Sequence, residues 1–372
     1  MTAVLRERAL NRALLERQWL LHRQPRSVDD AVTHLVGVQA QAPLAPYVGL
    51  WSRLDGFRPE ALADRISDRR LVRATATLRT TIHLHTADDG LALRPVLRSV
   101  MEKAFRSSPF ARNVVGMDLD AVTEAGRALL EVEPLTVAEL SRRLGEEWPD
   151  RDPNSLAYAV RFLVPLVQVP PRGLWGANGP ARLATLESWL GRPMALAEAP
   201  DAWVLRYLRA FGPATVADIV TWSWLTGLRE VVERLRPVLR TFRDEAGREL
   251  FDLPDAPLPD PETPAPVRFL PEYDNALLSH ADRTRIVPAG RGVPLPPGNG
   301  AAIGTVLVDG FLRGTWRIIR KGAAATLVIE PDRPPEASDR AALEAEGHAL
   351  LEFVASEATD REVRFADAGV TA

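Results

Sequence analysis

Gln39-Ala40-Gln41 sets two carboxamides two residues apart in the stretch Gly37-Val-Gln-Ala-Gln-Ala-Pro-Leu-Ala-Pro46. On a helix such positions diverge, whereas on an extended segment they project from the same side. Pro43 disfavours the helical basin at Ala42, and Pro46 follows closely, so the helix before the motif is expected to end near Val38. Both amides then face one way from a short loop. Each carries a carbonyl oxygen and an NH2 group, so the pair can hold and orient a water molecule. Neither can take a proton from that water, and the motif contains no general base.

Other residues could bear chemistry as well. His83 and His85 alternate with Ile82 and Leu84, which puts both imidazoles on one side of a strand. A metal would need a third ligand, and no second His-X-His spacing supplies one, so no metal is expected and a cleft-facing or buried hydrogen-bonding role is read instead. Arg73 and Arg79 flank the same hairpin and are candidate phosphate contacts, the alternative being solvated arginines. Arg320-Lys321-Gly322 falls at the expected tip of a later hairpin. Glu272 and Asp274 stand beside Asn275, where acids commonly fix turns through side-chain to backbone hydrogen bonds; a general base from this segment stays open. Trp222 and Trp224 are read as core.

The composition is that of an ordinary globular chain: 372 residues, 46% apolar and 26% charged. That length suits two or three domains with a substantial core. With no cysteine, disulfides, thiolate nucleophiles and cysteine-ligated metals are excluded. The start, Met1-Thr-Ala-Val-Leu-Arg-Glu-Arg, lacks the features of a signal peptide, and no apolar run reaches membrane-spanning length, so a cytoplasmic location is expected. A net charge of −3 argues mildly against a strongly electrostatic nucleic-acid binder, although a local basic cleft survives such an average. No Walker motif, dinucleotide fingerprint or Ser-His-Asp ordering is present.

The elements that must position these groups follow a recurring order: helix, helix, turn, helix, hairpin. The third copy is clearest. Residues 201–211 form a helix closed by Gly212-Pro213, Thr215 caps the helix over 216–225, Gly227 turns the chain into 228–236, and two β-like runs flank Asp244-Glu-Ala-Gly247. The second copy has helices at 119–131, 136–147 and 154–167 and an irregular wing at 170–179. The first has helices at 6–22, 27–38, 44–54 and 59–67 and a hairpin formed by 71–77 and 79–85. A proline-rich connector, 254–266, leads to β-type runs at 267–270, 303–308, 311–319 and 326–330, a helix at 337–356 and a last strand at 362–365. Asp309-Gly310 is a strong hairpin-turn signal. The fold class is therefore α+β. Winged helix-turn-helix modules occupy 1–90, 91–195 and 196–255, and a small curled sheet or barrel carrying a helix occupies 256–372.

Five strings recur together in order: Gly37-Val-Gln-Ala-Gln41, Leu50-Trp-Ser-Arg53, Leu78-Arg-Thr-Thr-Ile-His-Leu84, Phe269-Leu-Pro-Glu-Tyr-Asp-Asn275 with Leu278-Ser-His-Ala-Asp-Arg283, and Val308-Asp-Gly-Phe-Leu-Arg-Gly-Thr-Trp-Arg317. Across nearly the whole chain they resemble the winged-helix DNA glycosylase superfamily of AlkZ and YcaQ. That resemblance implies three tandem winged helices around a C-terminal β-barrel, C-shaped, with DNA in the channel. It implies catalysis by a Gln-X-Gln or Gln-X-Asp motif. Gln39 and Gln41 match the Gln-X-Gln, AlkZ-like form and lack the acid of the YcaQ form. It also gives the Arg320-Lys321 hairpin a counterpart that approaches the lesion, and with Arg73, Arg79 and His83 these make up the expected DNA contacts.

Two amides without a base suit a substrate whose leaving group is already activated. Alkylation at N7 leaves guanine cationic, so it departs as a neutral base and little acid catalysis is needed. What remains is to deliver water to the anomeric carbon and to face the sugar's developing positive charge with carbonyl dipoles. The implied protein is a cytoplasmic, nucleoid-associated bacterial monomer. It acts on double-stranded DNA with alkylated purines, bulky or crosslinked guanine adducts included, without metal or organic cofactor. No Schiff-base lysine is evident, so strand cleavage should not accompany base loss. The alternatives are a non-catalytic winged-helix transcriptional regulator and an adapter whose modules bind proteins.

Overall fold

The computed structural model describes residues 3–295 and 303–366. Its architecture is mixed α and β, with three sheets and the helices packed around them. The second helix of each of the three copies starts from the same device. Ser27, Thr136 and Thr215 cap the helices Val28–His34, Val137–Glu147 and Val216–Ser223, and in each case the acid three residues on (Asp30, Glu139, Asp218) reaches back to the cap's backbone N–H. Such reciprocal capping satisfies two otherwise orphaned donors and fixes where the helix begins. Asp201–Phe211 forms where expected.

Several boundaries differ from expectation. The helix read at 154–167 is Pro153–Leu163, and Leu166–Val169 is a strand, because Pro165 removes a helical donor and forces Val164 into extended backbone. The hairpin arm read at 79–85 begins as a 3-10 turn, Leu78–Thr80, with Arg79 and Thr80 at positive φ, and becomes strand only at His83–Thr86. Two helices, Ala87–Val96 and Arg98–Arg106, were not expected. Trp222 is core, but Trp224 is 47% exposed in a left-handed helix cap.

The sheets do not divide as the module boundaries do. Strands of the first two copies join in one six-stranded sheet, ordered Val38–Gln39, His83–Thr86, Leu71–Ala74, Leu166–Val169, Arg182–Thr185, Leu135–Thr136. The third copy's hairpin, Arg240–Asp244 with Glu249–Asp252, takes a parallel strand from the chain start, Val4–Leu5. A buried ion pair reinforces this link: Arg17, on the first helix, donates to Asp252 at 2.6 and 3.0 Å.

The expected C-terminal barrel is instead an open sheet of five strands among the described residues: Arg268–Leu270, Gly304–Val308, Phe311–Lys321, Ala324–Pro331 and Asp360–Phe365. Its edge strands do not pair with each other; the last strand joins in parallel after the 18-residue helix Ala337–Val354. That helix buries Leu343, Leu350 and Leu351 in one core with Leu327 and Ile329. Asp309 and Gly310, at φ 47 and 79, form the tight turn their sequence announces. Among the described residues no helix is long and apolar enough to cross a membrane.

Candidate active site

Gln39 lies on the edge strand of the six-stranded sheet, opposite His83. The ladder ends one residue later, where the Ala40 N–H donates to the Ile82 carbonyl at 2.8 Å. Beyond that point Pro43 and the turn before Ala45–Trp51 lead the chain away from the sheet, and Gln41 emerges on the wall of a cleft. Gln39 thus ends the strand and Gln41 sits at the bend beyond it, so the two amides enter different surroundings and do not face one way as expected.

Gln39 is 5% exposed, inside a polar network. Arg79 Nη2 donates to Gln39 Oε1 at 2.7 Å, to Asn275 Oδ1 at 3.2 Å and toward His83 Nε2 at 3.3 Å. With its Nε2 accepting, the neutral imidazole of His83 is assigned a proton on Nδ1, which faces Thr77 Oγ1 at 3.2 Å. Burial, and then the charge of Arg79, hold His83 well below its ordinary pKa, which keeps it in this neutral form. Burial and then Arg283 lower the Arg79 guanidinium to about 10, so it stays a cation at neutral pH.

The motif's backbone is clamped from several elements. Asn275 Nδ2 donates to the Gly37 carbonyl at 2.9 Å, tying the segment after the strand Arg268–Leu270 to the residues that precede Gln39. Arg73 Nη2 donates to the Ala40 carbonyl at 3.0 Å and to Gln168 Oε1 at 3.1 Å. Two glycines make these close approaches possible. Gly37 sits at φ +98, where a Cβ would stand 2.5 Å from the His85 ring, and Gly173 at φ +89, where a Cβ would stand 2.5 Å from Arg73 Cδ. Neither backbone conformation suits a side chain, and neither site has room for one.

The cleft encloses about 660 Å³. Its walls include Gln41, Arg172 and Trp175 from the second copy's wing, Glu272 and Tyr273 after the strand Arg268–Leu270, and Trp316, Arg320 and Glu357 from the C-terminal sheet and the end of its helix. Two arginines face two glutamates, so the lining is not strongly basic. Arg320 is itself paired with Glu357 and donates to the Val354 carbonyl.

The expected contacts therefore separate. Gln41 and Arg320 meet on the cleft, with Lys321 exposed beside Arg320 at the hairpin tip, and Arg79 supports Gln39 from behind. Arg73 is corrected: at 1% exposure its guanidinium is spent on carbonyls and an amide, and it props the loop instead of meeting phosphate. His83 is corrected from a DNA contact to a buried hydrogen-bonding group. Of the two acids near Asn275, Asp274 fixes the turn as read: it caps Asn275–Leu278 and pairs with buried Arg53 at 2.8 and 2.9 Å. Glu272 does not; it faces the cleft. The only sequence signal for that was its place one residue after Pro271, out of the run that Asp274 anchors.

A family model described as DNA glycosylase AlkZ-like matches residues 32–353. The interstrand DNA cross-link repair glycosylase of Streptomyces sahachiroi is 25% identical over 352 residues, spanning 86% of this chain and 90% of that protein. The solved structure of the Streptomyces sahachiroi DNA glycosylase AlkZ matches with a TM-score of 0.71 at 22% identity, over 98% of this chain and 100% of that one. At that identity the structural likeness speaks for the fold. These relatives do not favour the reading as a non-catalytic regulator.

Proposed function

Since this chain belongs to the AlkZ-like DNA glycosylase family, we propose that it hydrolyses the N-glycosidic bond of N7-alkylated guanine in duplex DNA, bulky and crosslinked adducts included, with no strand cleavage of its own. The reading takes the helix-helix-hairpin units as winged helices that hold duplex DNA, and Gln39 and Gln41 as the pair that governs the attacking water.

The observation that carries it is the placement of the motif: a clamped edge strand delivers Gln41 to a cleft while Arg79 locks Gln39 behind it. Fixed dipoles cost no reorganisation when charge develops, which is the main contribution a neutral group can make. Gln41 orients water in the cleft. Gln39, its carbonyl engaged by Arg79, sets the backbone and the amide plane beside it. The cationic base leaves as a neutral ring, so the cleft need not supply a strong acid. Lys321 and Arg320 then bear on the phosphates flanking the lesion, with Arg320 exchanging Glu357 for DNA.

The test is incubation with a duplex carrying a single N7-methylguanine, and separately with an N7-linked interstrand crosslink, followed by alkaline cleavage at abasic sites. Alkali-dependent breaks should form only at the modified guanine, and none should precede alkali. An unmodified duplex should stay intact. Failure to release base from either substrate, by protein that binds both, would overturn the proposal.

A further inference from the structure

The geometry points to Glu272 as a catalytic residue that the Gln-X-Gln motif does not contain: the carboxylate that takes the proton from the water oriented by Gln41. This rests on the glycosylase reading above and adds to it a base that the two amides cannot supply.

Three observations carry it. First, Glu272 and Gln41 line the same cleft although they stand more than two hundred residues apart in sequence. Hydrogen bonds on both sides fix the segment that carries Glu272. Trp316 Nε1 donates to the Leu270 carbonyl at 2.9 Å, Asp274 is pinned by Arg53, Asn275 holds the Gly37 carbonyl, and Tyr273 turns the chain at φ +61. Between these anchors the side chains of Glu272 and Tyr273 are presented to the cleft.

Second, Glu272 differs from the other withdrawn acids. Asp252 and Asp274 each face an arginine at hydrogen-bond distance, and Asp218 is held by backbone N–H groups and its cap. Glu272 makes no ion pair among the described residues, and no charged partner acts on its carboxyl. A partly buried carboxylate without a cation is costly unless it has a task. Third, burial pushes its carboxyl above the ordinary value, the direction that strengthens a base. The charged groups that face the cleft around it are Arg172, Arg320 and Glu357, and Arg320 is already engaged by Glu357.

The step balances without a co-reactant. The water oxygen forms a bond to C1′ as the C1′–N9 bond breaks. The electron pair of that bond enters the purine and cancels its N7-alkyl positive charge. Glu272 receives the water's proton and returns it to solvent after the base has left.

The experiment compares single-turnover release of N7-methylguanine by wild type, Glu272→Gln and Glu272→Asp across roughly pH 5 to 9, corrected for spontaneous depurination, alongside DNA affinity and thermal unfolding. Wild type should lose rate on the acid side as the base protonates. Glu272→Gln should be slower by about 10²-fold and lose that acid limb, with affinity within a few-fold. Its melting temperature should be unchanged or higher, because an uncompensated charge has been removed. Glu272→Asp should keep the limb and an intermediate rate. A folded Glu272→Gln that stays within about threefold of wild type, or that is slow but keeps the acid limb, overturns the assignment and leaves the glycosylase reading intact. No release by wild type itself would instead defeat that reading.

Discussion

Gln39 and Gln41 share one side-chain chemistry and stand two residues apart, yet the first is held at 5% exposure beside an arginine and the second lines a cleft. Behind the motif lies a network of Arg79, His83, Thr77 and Asn275 whose members hold one another. In front of it lies a cleft in which Arg320 is paired with Glu357 while Glu272 faces no cation. The contrast teaches that the motif is a junction: one amide faces the scaffold and the other faces the cleft. Substitutions on the two sides should therefore fail in different ways.

The largest effect should come from the scaffold side. Arg53→Met removes the partner of buried Asp274, the residue next to Asn275, and should cost about 3–5 kcal/mol, read by urea unfolding, because a buried charge loses its counterion. A loss below about 1 kcal/mol would show that this pair does not hold the network. Next, Gln41→Ala should slow base release by about 10²–10³-fold while leaving stability within about 0.5 kcal/mol. Gln39→Ala should slow release as well, but also destabilise by about 1–3 kcal/mol, since Arg79 loses its nearest acceptor. If both variants lose rate without loss of stability, the division proposed here disappears.

Acid should separate the two sides again. Burial lowers His83, brings His85 down to about 4 and, together with Arg285, brings His280 down to about 3, from an ordinary value of 6.5. The unfolded chain then takes up protons first as pH falls. The stability these imidazoles contribute is fully present above pH 6.5 and is lost progressively below it, levelling near the folded values. Each one contributes a slope of at most about 1.4 kcal/mol per pH unit. Unfolding midpoints measured at pH 7.5, 6 and 5 should fall in that order; a flat profile would mean the histidines are not held neutral. The smallest effect belongs to Arg320→Ala, whose side chain is 49% exposed. It should leave melting unchanged and reduce the salt dependence of DNA binding by about one unit of slope.

Local chemistry was the legible part of the chain. The capping residues Thr136 and Thr215, the Asp309-Gly310 turn and the helix over 201–211 depend on neighbours a few positions away, and they form as read. The helices Ala87–Val96 and Arg98–Arg106 were obscured because the first contains Gly90 and Pro95 and follows a strand without a break. Arg73 misled because an arginine on a hairpin is usually solvated, and nothing nearby reveals that the carbonyls of Ala40 and Pro43 lie over it. The site itself was half legible. The glutamine spacing was visible, whereas the partners Arg79 and Asn275 and the approach of Glu272 depend on pairing across the whole fold. The barrel was what the family resemblance implied, whereas the strand runs alone read as a curled sheet or a barrel; the last strand joins in parallel after the helix and the sheet stays open.

The pairing of Leu71–Ala74 with Leu166–Val169 has a practical outcome for anyone dissecting the molecule. A fragment cut at residue 90 would retain the glutamines but leave the edge at Arg73–Thr75 without its partner strand, an invitation to intermolecular association. Tandem modules in this chain are accordingly not interchangeable beads, and a fragment that ends between the first two is unsuited to assay.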